Sequence, residues 1–320
     1  MKVAITGSSG FVGSNLVSSF IANSIDFICI DRFPLDPLVV SRPCQFFVDY
    51  ADITRLVNLL KDVDCVVHLA GRAHKPVQND ESAFQEFKQA NVEVLACVVK
   101  ASQAVSVKRI IYVSSIGVLG SNTPNTPFTD FTSPSPSALY GHSKLEAERF
   151  LVSYLSNDFS IDWVILRPPL IYGPNCPGNM SRLLRILPYL PLIPFASLSS
   201  QKSFMSIDNF IDILNLCLSS SVVSRKTFVV SDNDDISVGD LFAVLLSGLR
   251  ISSRRLVPFP PAILALVMRI FGLSALWQQI SSPLVIDSSN FSSSTGWFPR
   301  FSSRNQLYVT ARSFLRNKKY

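Results

Sequence analysis

Ser115, Tyr140 and Lys144 have the types and spacing to move a proton. Ser114 and Ser115 close the apolar run Ile110-Ile111-Tyr112-Val113, and Tyr140-Gly141-His142-Ser143-Lys144 follows further along the chain. A tyrosine and a lysine four apart share one helix face about one turn apart. The ammonium can then sit near the phenol and lower its pKa, because a nearby cation favours the phenolate. A serine hydroxyl donating into the same place completes a group able to take or give a proton at a carbon-borne hydroxyl. Tyrosine and lysine at this spacing are most often a mere surface pair. The serine at a strand end makes the conjunction specific, since open α/β sheets bind ligands beyond the carboxyl ends of their strands.

A proton acceptor at a carbinol is useful when something else takes the hydride, and the first thirty residues offer a place for such an acceptor. Lys2-Val3-Ala4-Ile5 forms an apolar strand, Thr6-Gly7-Ser8-Ser9-Gly10-Phe11-Val12-Gly13 a glycine turn, and Leu16-Val17-Ser18-Ser19-Phe20-Ile21 the body of a helix. A helix N-terminus lined by Gly7, Gly10 and Gly13, with Phe11 and Val12 between them, presents free N–H groups and a positive dipole end to a pyrophosphate. A second strand, Asp26-Phe27-Ile28-Cys29-Ile30, ends in Asp31. A carboxylate there can accept both ribose hydroxyls of an adenosine, which favours NAD, while Arg32 beside it keeps NADP open through a pairing with a 2′-phosphate.

These residues need a scaffold. Apolar runs at 46–48, 65–69, 110–113 and 163–166 alternate with helix-like stretches at 53–61, 83–105 and 143–155. Strands alternating with helices pair in parallel and are buried on both faces, so the pattern predicts an α/β chain with a doubly wound parallel sheet. A dinucleotide-binding domain is expected over 1–166. From Arg167 a succession of prolines breaks the regularity, and 167–320 is expected to form mainly a smaller substrate lobe, although Phe228-Val229-Val230 reads as a strand free to return to the sheet.

The composition, 48% hydrophobic and 16% charged, supports a large core and excludes a disordered chain. A net charge of +6, dispersed apart from Arg254-Arg255 and Lys318-Lys319, suits an anionic small substrate and not a nucleic acid. Six cysteines without a C-x-x-C pair look like core residues of a reducing, cytoplasmic compartment. His68 ends an apolar strand and reads as a core residue, and nothing else at ligand spacing supports a metal site. The apolar segment 256–277 is broken by prolines, and the uninterrupted apolar stretch they leave, Ala262 to Met268, is far shorter than the roughly 20 residues of a membrane span. It reads as a helix packed into the second lobe, with contact to a membrane surface the minor alternative.

Together the glycine turn, His68-Leu69-Ala70-Gly71, Asn91-Val92, Ser114-Ser115, Tyr140 to Lys144, Arg167-Pro168-Pro169-Leu170-Ile171-Tyr172-Gly173-Pro174 and Gly296-Trp297-Phe298-Pro299 make the chain resemble the extended short-chain dehydrogenases of the NAD-dependent epimerase and dehydratase type. The resemblance runs over nearly the whole length and implies a Rossmann sheet. It implies Tyr140 as catalytic acid/base, Lys144 on the nicotinamide ribose, and Ser115 on the sugar hydroxyl or ketone. It places Asp31 on the adenosine ribose, Asp49 and Tyr50 on the adenine, and Leu69, Ala70, Gly71, Asn91 and Pro168 along the cofactor. Asn179 and Lys202 match positions that contact a nucleotide diphosphate. Sugar-nucleotide dehydratases carry an Asp-Glu pair where this chain has Ile116-Gly117, so the resemblance narrows to redox at C4 of a UDP-linked hexose or N-acetylhexosamine. A 4-epimerase comes first and a UDP-4-keto-6-deoxy-hexosamine 4-reductase second, in surface polysaccharide synthesis and as a homodimer. A lipid or steroid alcohol dehydrogenase and a non-catalytic nucleotide sensor are the readings from other classes.

Overall fold

The computed structural model describes residues 1–32, 44–73 and 81–317; Lys318 and Lys319 lie outside them. In chain order the strands are β1 (Lys2–Thr6), β2 (Asp26–Asp31), β3 (Gln45–Phe47), β4 (Cys65–His68), β5 (Arg109–Val113), β6 (Asp162–Arg167), β7 (Ile171–Tyr172), β8 (Gln201–Lys202), β9 (Met205–Ser206), β10 (Lys226–Val229) and β11 (Ile236–Ser237). Seven of them form one parallel sheet in the order β10-β6-β5-β4-β1-β2-β3. The residues around Phe228 therefore return to the sheet, beside β6. Winding reverses direction between β1 and β4, which opens a crevice at their carboxyl ends.

The helices are α1 (Phe11–Ala22), α2 (Ile53–Leu60), α3 (Glu81–Lys88), α4 (Val94–Ala104), α5 (Leu139–Tyr154), α6 (Gly178–Ile186), α7 (Ile207–Cys217), α8 (Val238–Gly248), α9 (Pro261–Ile270), α10 (Ser274–Ser281), α11 (Ser289–Thr295) and α12 (Ser303–Asn317). Strand side chains alternate between two faces. Val3 and Ile5 meet Leu16, Val17 and Phe20 of α1 and Phe210 and Leu214 of α7. On the other face Ala4, Ile28 and Ile30 share a core with Leu56 and Leu60 of α2, Leu95, Val98 and Val99 of α4 and Leu151 of α5. Burial on both faces is why the strands read as unbroken apolar runs. A further core lies among α6, α8 and α12, where Met180 and Leu184 join Phe242, Leu245, Leu246, Leu307 and Ala311.

Two helices differ from the sequence expectation in ways that matter for the site. The stretch expected as one helix over 83–105 is α3 and α4 joined by a π turn, Gln89–Glu93. The helix expected over 143–155 starts earlier, at Leu139, and so contains Tyr140, as its helical spacing from Lys144 requires; the polar opening Gly141-His142-Ser143 hides that first turn from the apolar periodicity. A third expectation is met only in part. The apolar segment after 256 does form a helix, but in α9 only Leu264 is buried, and Ile263, Leu266, Val267 and Ile270 face solvent.

Candidate active site

The glycine turn closes directly beneath α1. Gly7 adopts φ +74°, and a Cβ there would stand 2.6 Å from the backbone nitrogen of Ala70. A Cβ on Gly13 would fall 2.3 Å from the Gly7 carbonyl oxygen. Neither position has room for a side chain, so the turn can lie close to both the helix and the β4 end. Gly10 is the N-cap of α1 and offers no side chain to close it, and the first turn carries no acidic residue. The N–H groups and positive end of a twelve-residue helix thus face the crevice, a setting that fits a pyrophosphate.

Asp31 ends β2 at 1% exposure and is clasped by the turn: one oxygen accepts from the Ser8 hydroxyl, the other from the Ser9 N–H and hydroxyl, both at 3.1 Å. Arg32 is exposed. Tyr50 is buried and donates to the Ile30 carbonyl at 2.8 Å, which ties the β3 exit to β2, while Asp49 beside it is exposed. Leu69 donates its N–H to the Thr6 carbonyl at 3.0 Å, carrying the Leu69-Ala70-Gly71 segment past Gly7.

Asn91 lies within the π turn, fully buried. Its Oδ1 accepts from the Arg72 N–H at 2.8 Å, and its Nδ2 donates to Ser143 Oγ at 2.9 Å and to the Arg72 carbonyl at 3.3 Å. One amide therefore fixes the chain just after Gly71 and the residue next to Lys144. Gly71 must be glycine for this, since its Cβ would lie 2.7 Å from Asn91 Oδ1 and 3.4 Å from Lys144 Nζ. A π turn inserts one residue into a helix and is frequent at functional sites.

Ser115 caps a 3₁₀ turn at the end of β5, its hydroxyl accepting from the Gly117 N–H at 3.1 Å, and the Ile116 N–H donates to the carbonyl of buried Pro168 at 2.9 Å. Tyr140, in the first turn of α5, lies near enough to Ser115 for the serine hydroxyl to act on its pKa. Lys144, one turn on, donates to the Val113 carbonyl at 2.9 Å and lies 4.8 Å from the Tyr112 ring centroid. Serine, tyrosine and lysine thus converge at the end of β5. The electrostatics differ from the sequence expectation. Burial pushes the Tyr140 phenol up to about 12, and the opposing pull comes from the Ser115 hydroxyl, not from Lys144. Burial likewise brings the Lys144 ammonium down to about 8, against the charge of Glu148.

Asn179 sits exposed in the first turn of α6. Lys202 on β8 donates to the carbonyls of Gln279, at 2.9 Å, and Ser282, closing the end of α10. His68 is fully buried against Thr6 Oγ1 at 2.9 Å, and burial lowers its pKa to about 3, so it is neutral.

Three residues that build this site carry a weak sequence signal. Gly141 lets α5 approach the Ser115 turn, because a Cβ there would stand 2.4 Å from the Gly117 carbonyl oxygen. A glycine inside a helix costs about 1 kcal/mol relative to alanine, so its place between Tyr140 and Lys144 was the available clue. Gly141→Ala should push α5 from the turn and lower kcat by roughly 10²-fold, the scale of a misplacement near 1 Å. Steady-state kinetics at retained thermal stability check this; unchanged kcat would mean that the turn gives way freely. The other two, Glu148 and Arg167, pair between α5 and the end of β6: Nε to Oε1 at 2.9 Å and Nη2 to Oε2 at 2.6 Å, both side chains buried.

Comparison with known proteins agrees with this geometry. A family model described as the NAD dependent epimerase/dehydratase family matches residues 3–231. A Vibrio cholerae UDP-glucose 4-epimerase is 32% identical over 98% of this chain and 95% of its own length. An N-acetyl-alpha-D-glucosaminyl-diphospho-ditrans,octacis-undecaprenol 4-epimerase of Escherichia coli O157:H7 is 27% identical over 81% of this chain and 76% of its own. Among solved structures, a Thermotoga maritima UDP-glucose 4-epimerase with UDP-glucose superposes with a TM-score of 0.80 at 19% identity, covering 99% of this chain and 100% of that one. A Bacillus cereus UDP-glucuronic acid 4-epimerase with UDP-glucuronic acid and NAD gives 0.79 at 22%, with the same coverage. At such identities the structures establish the shared fold. Together with the sequence matches over nearly the whole chain, they lead to one conclusion: the chain belongs to the NAD-dependent epimerase/dehydratase family of extended short-chain dehydrogenases.

Proposed function

We propose that the protein is an NAD-dependent 4-epimerase of a UDP-linked hexose or N-acetylhexosamine. The observation that carries the reading is the convergence of Ser115, Tyr140 and Lys144 at the β5 end, across the crevice from a glycine turn that no side chain closes. The cofactor would lie along Gly7, Gly10, Phe11, Val12 and Gly13, with the Asp31 carboxylate at its adenosine ribose, Arg32, Asp49 and Tyr50 near the adenine end, and Leu69, Ala70, Gly71, Asn91 and Pro168 along its course. When bound, it supplies a hydride acceptor and a positive charge. Tyr140 takes the proton of the C4 hydroxyl and later returns one to the C4 ketone. Ser115 holds that oxygen. Lys144 holds the cofactor ribose. Asn179 and Lys202 are the candidates for the substrate diphosphate, Lys202 after release from the α10 carbonyls.

Dehydration of the sugar is disfavoured by the Ser115 turn itself. Ile116 is buried with Val118, Leu119 and Phe128, and Gly117 follows it, so this turn has no carboxylate to remove water. Among related activities, the 4-reductase of UDP-4-keto-6-deoxy-hexosamines uses the same three residues. A lipid-linked sugar diphosphate is a second reading of the substrate, favoured by the Escherichia coli relative and by the solvent-facing apolar side of α9. A homodimer joined through α4 and α5, acting in the cytoplasm in surface polysaccharide synthesis, completes the proposal; light scattering that finds only monomer would remove the dimer.

Mass spectrometry of the nucleotide released on denaturing freshly purified protein tests the reading. An epimerase regenerates its cofactor within each cycle, so stoichiometric NAD and interconversion of UDP-hexose C4 isomers are expected. An empty site or bound NADP, with turnover only of 4-keto sugars, would replace the epimerase by the reductase.

A further inference from the structure

We infer that the α9–α10 hairpin docks this protein on the surface of an anionic lipid bilayer. Ile263, Leu266, Val267 and Ile270 recur at i, i+3, i+4 and i+7, the spacing of one helix face. On a helix of a soluble lobe such a stripe faces the core. Here it faces outward: Ile263 is 50% exposed, Leu266 57% and Ile270 71%, and Phe271 just beyond the helix is 73% exposed, while the inward side consists of Leu264 and partly buried Met268.

The hairpin is held firmly beneath this face. The Ile193 N–H donates to the Arg255 carbonyl at 2.7 Å and the Val257 N–H to the Ile193 carbonyl at 3.0 Å, which fixes the approach to α9. Trp277 and Ile280 of α10 pack on the core of α6, α8 and α12, and Lys202 closes the α10 end. The apolar face is therefore a fixed surface of the fold and not a frayed end.

Charge selects the occupant. From residue 241 to 286 the chain has four arginines, Arg250, Arg254, Arg255 and Arg269, and no aspartate or glutamate. Arg255 is bound to the Pro188 and Leu190 carbonyls, whereas Arg250, Arg254 and Arg269 are exposed, and among the described residues no carboxylate pairs with them. Arg269 borders the apolar stripe. A second copy of the chain would set this basic surface against itself. An anionic bilayer instead accepts the apolar side chains between its headgroups while its phosphates meet the arginines. No described helix is long and apolar enough to cross a membrane, so α9 would lie along the interface.

Sedimentation with phosphatidylcholine vesicles, pure or with about one-third phosphatidylglycerol, tests this without reference to turnover, so its result and that of the proposed reaction are independent. The purified protein should pellet with the anionic vesicles, and less so as salt rises. A Leu266→Glu/Ile270→Glu variant should lose at least roughly tenfold in vesicle affinity with unchanged nucleotide content and thermal stability. Arg254→Glu/Arg269→Glu should remove the salt dependence. Protein that stays in the supernatant with both vesicle types overturns the inference, as does a Leu266→Glu/Ile270→Glu variant that binds as tightly as the parent. A parent protein that self-associates through this face, ignores vesicles and becomes monomeric in that variant would show a second copy to be the occupant, and would likewise overturn it.

Discussion

Tyr140→Phe should reduce kcat by about 10²–10⁴-fold, the range for losing a positioned acid/base, and leave cofactor content and fold intact. The substitution deletes one oxygen, and the ring keeps its contact with Phe87, 6.1 Å between centroids. A pH profile adds a signature that a structural defect would not produce. Burial holds Tyr140 near 12, so its phenolate fraction grows with pH throughout the neutral range. Lys144 gives up its proton near 8, and the proposed mechanism uses the Tyr140 phenolate together with the Lys144 ammonium on the cofactor ribose. Below that pH the rate should climb as the phenolate fraction rises. Above it the gain in phenolate is offset by the loss of ammonium, and the profile should level. In Tyr140→Phe the climb should vanish from the residual activity. A variant that keeps parental turnover, or the same rising profile, would remove Tyr140 from the mechanism.

The parts of this site that could be seen in the chain are those encoded by local spacing. Tyr140 and Lys144 are a helical i, i+4 pair, the glycine turn follows its strand directly, and the strands announce themselves because burial on two faces leaves them no polar positions. What could not be seen depends on which distant groups meet. Asp31 has the position expected of a ribose ligand, yet its clasp on Ser8 and Ser9 exists only once the turn has folded back over β2. Lys202 looks like a phosphate ligand by its match to the family, whereas the structure sets its ammonium on the α10 carbonyls. The expected effect of Lys144 on Tyr140 gave way to burial, and burial depends on how α5 is seated rather than on spacing. The apolar stripe of α9 was visible as a period, but a period does not say which side faces water.

The ion pair between Glu148 and Arg167 carries the second large expectation. Glu148 lies on α5, one turn past Lys144, and Arg167 ends β6, beside the Pro168 carbonyl that receives the Ile116 N–H of the Ser115 turn. The bidentate contact therefore pins the helix bearing Tyr140 and Lys144 to the strand next to the one bearing Ser115. Both side chains are under 10% exposed. A surface ion pair contributes little, but removing one partner of a buried pair leaves a bare charge in a poorly polarisable place and costs about 3–5 kcal/mol. Glu148→Gln should therefore lower the urea-unfolding free energy by about that amount, while Glu148→Leu/Arg167→Met, which removes both charges, should recover most of it. A second consequence separates Glu148 from a merely structural residue. Its negative charge is what holds the Lys144 proton against burial, so in folded Glu148→Gln the ammonium should be lost at lower pH and the break in the rate profile should move toward acid. The double substitution should recover stability without restoring the position of that break. A loss below about 1 kcal/mol, the scale of an exposed pair, with an unmoved break would mean that water reaches the pair and that Lys144 is held by something other than Glu148.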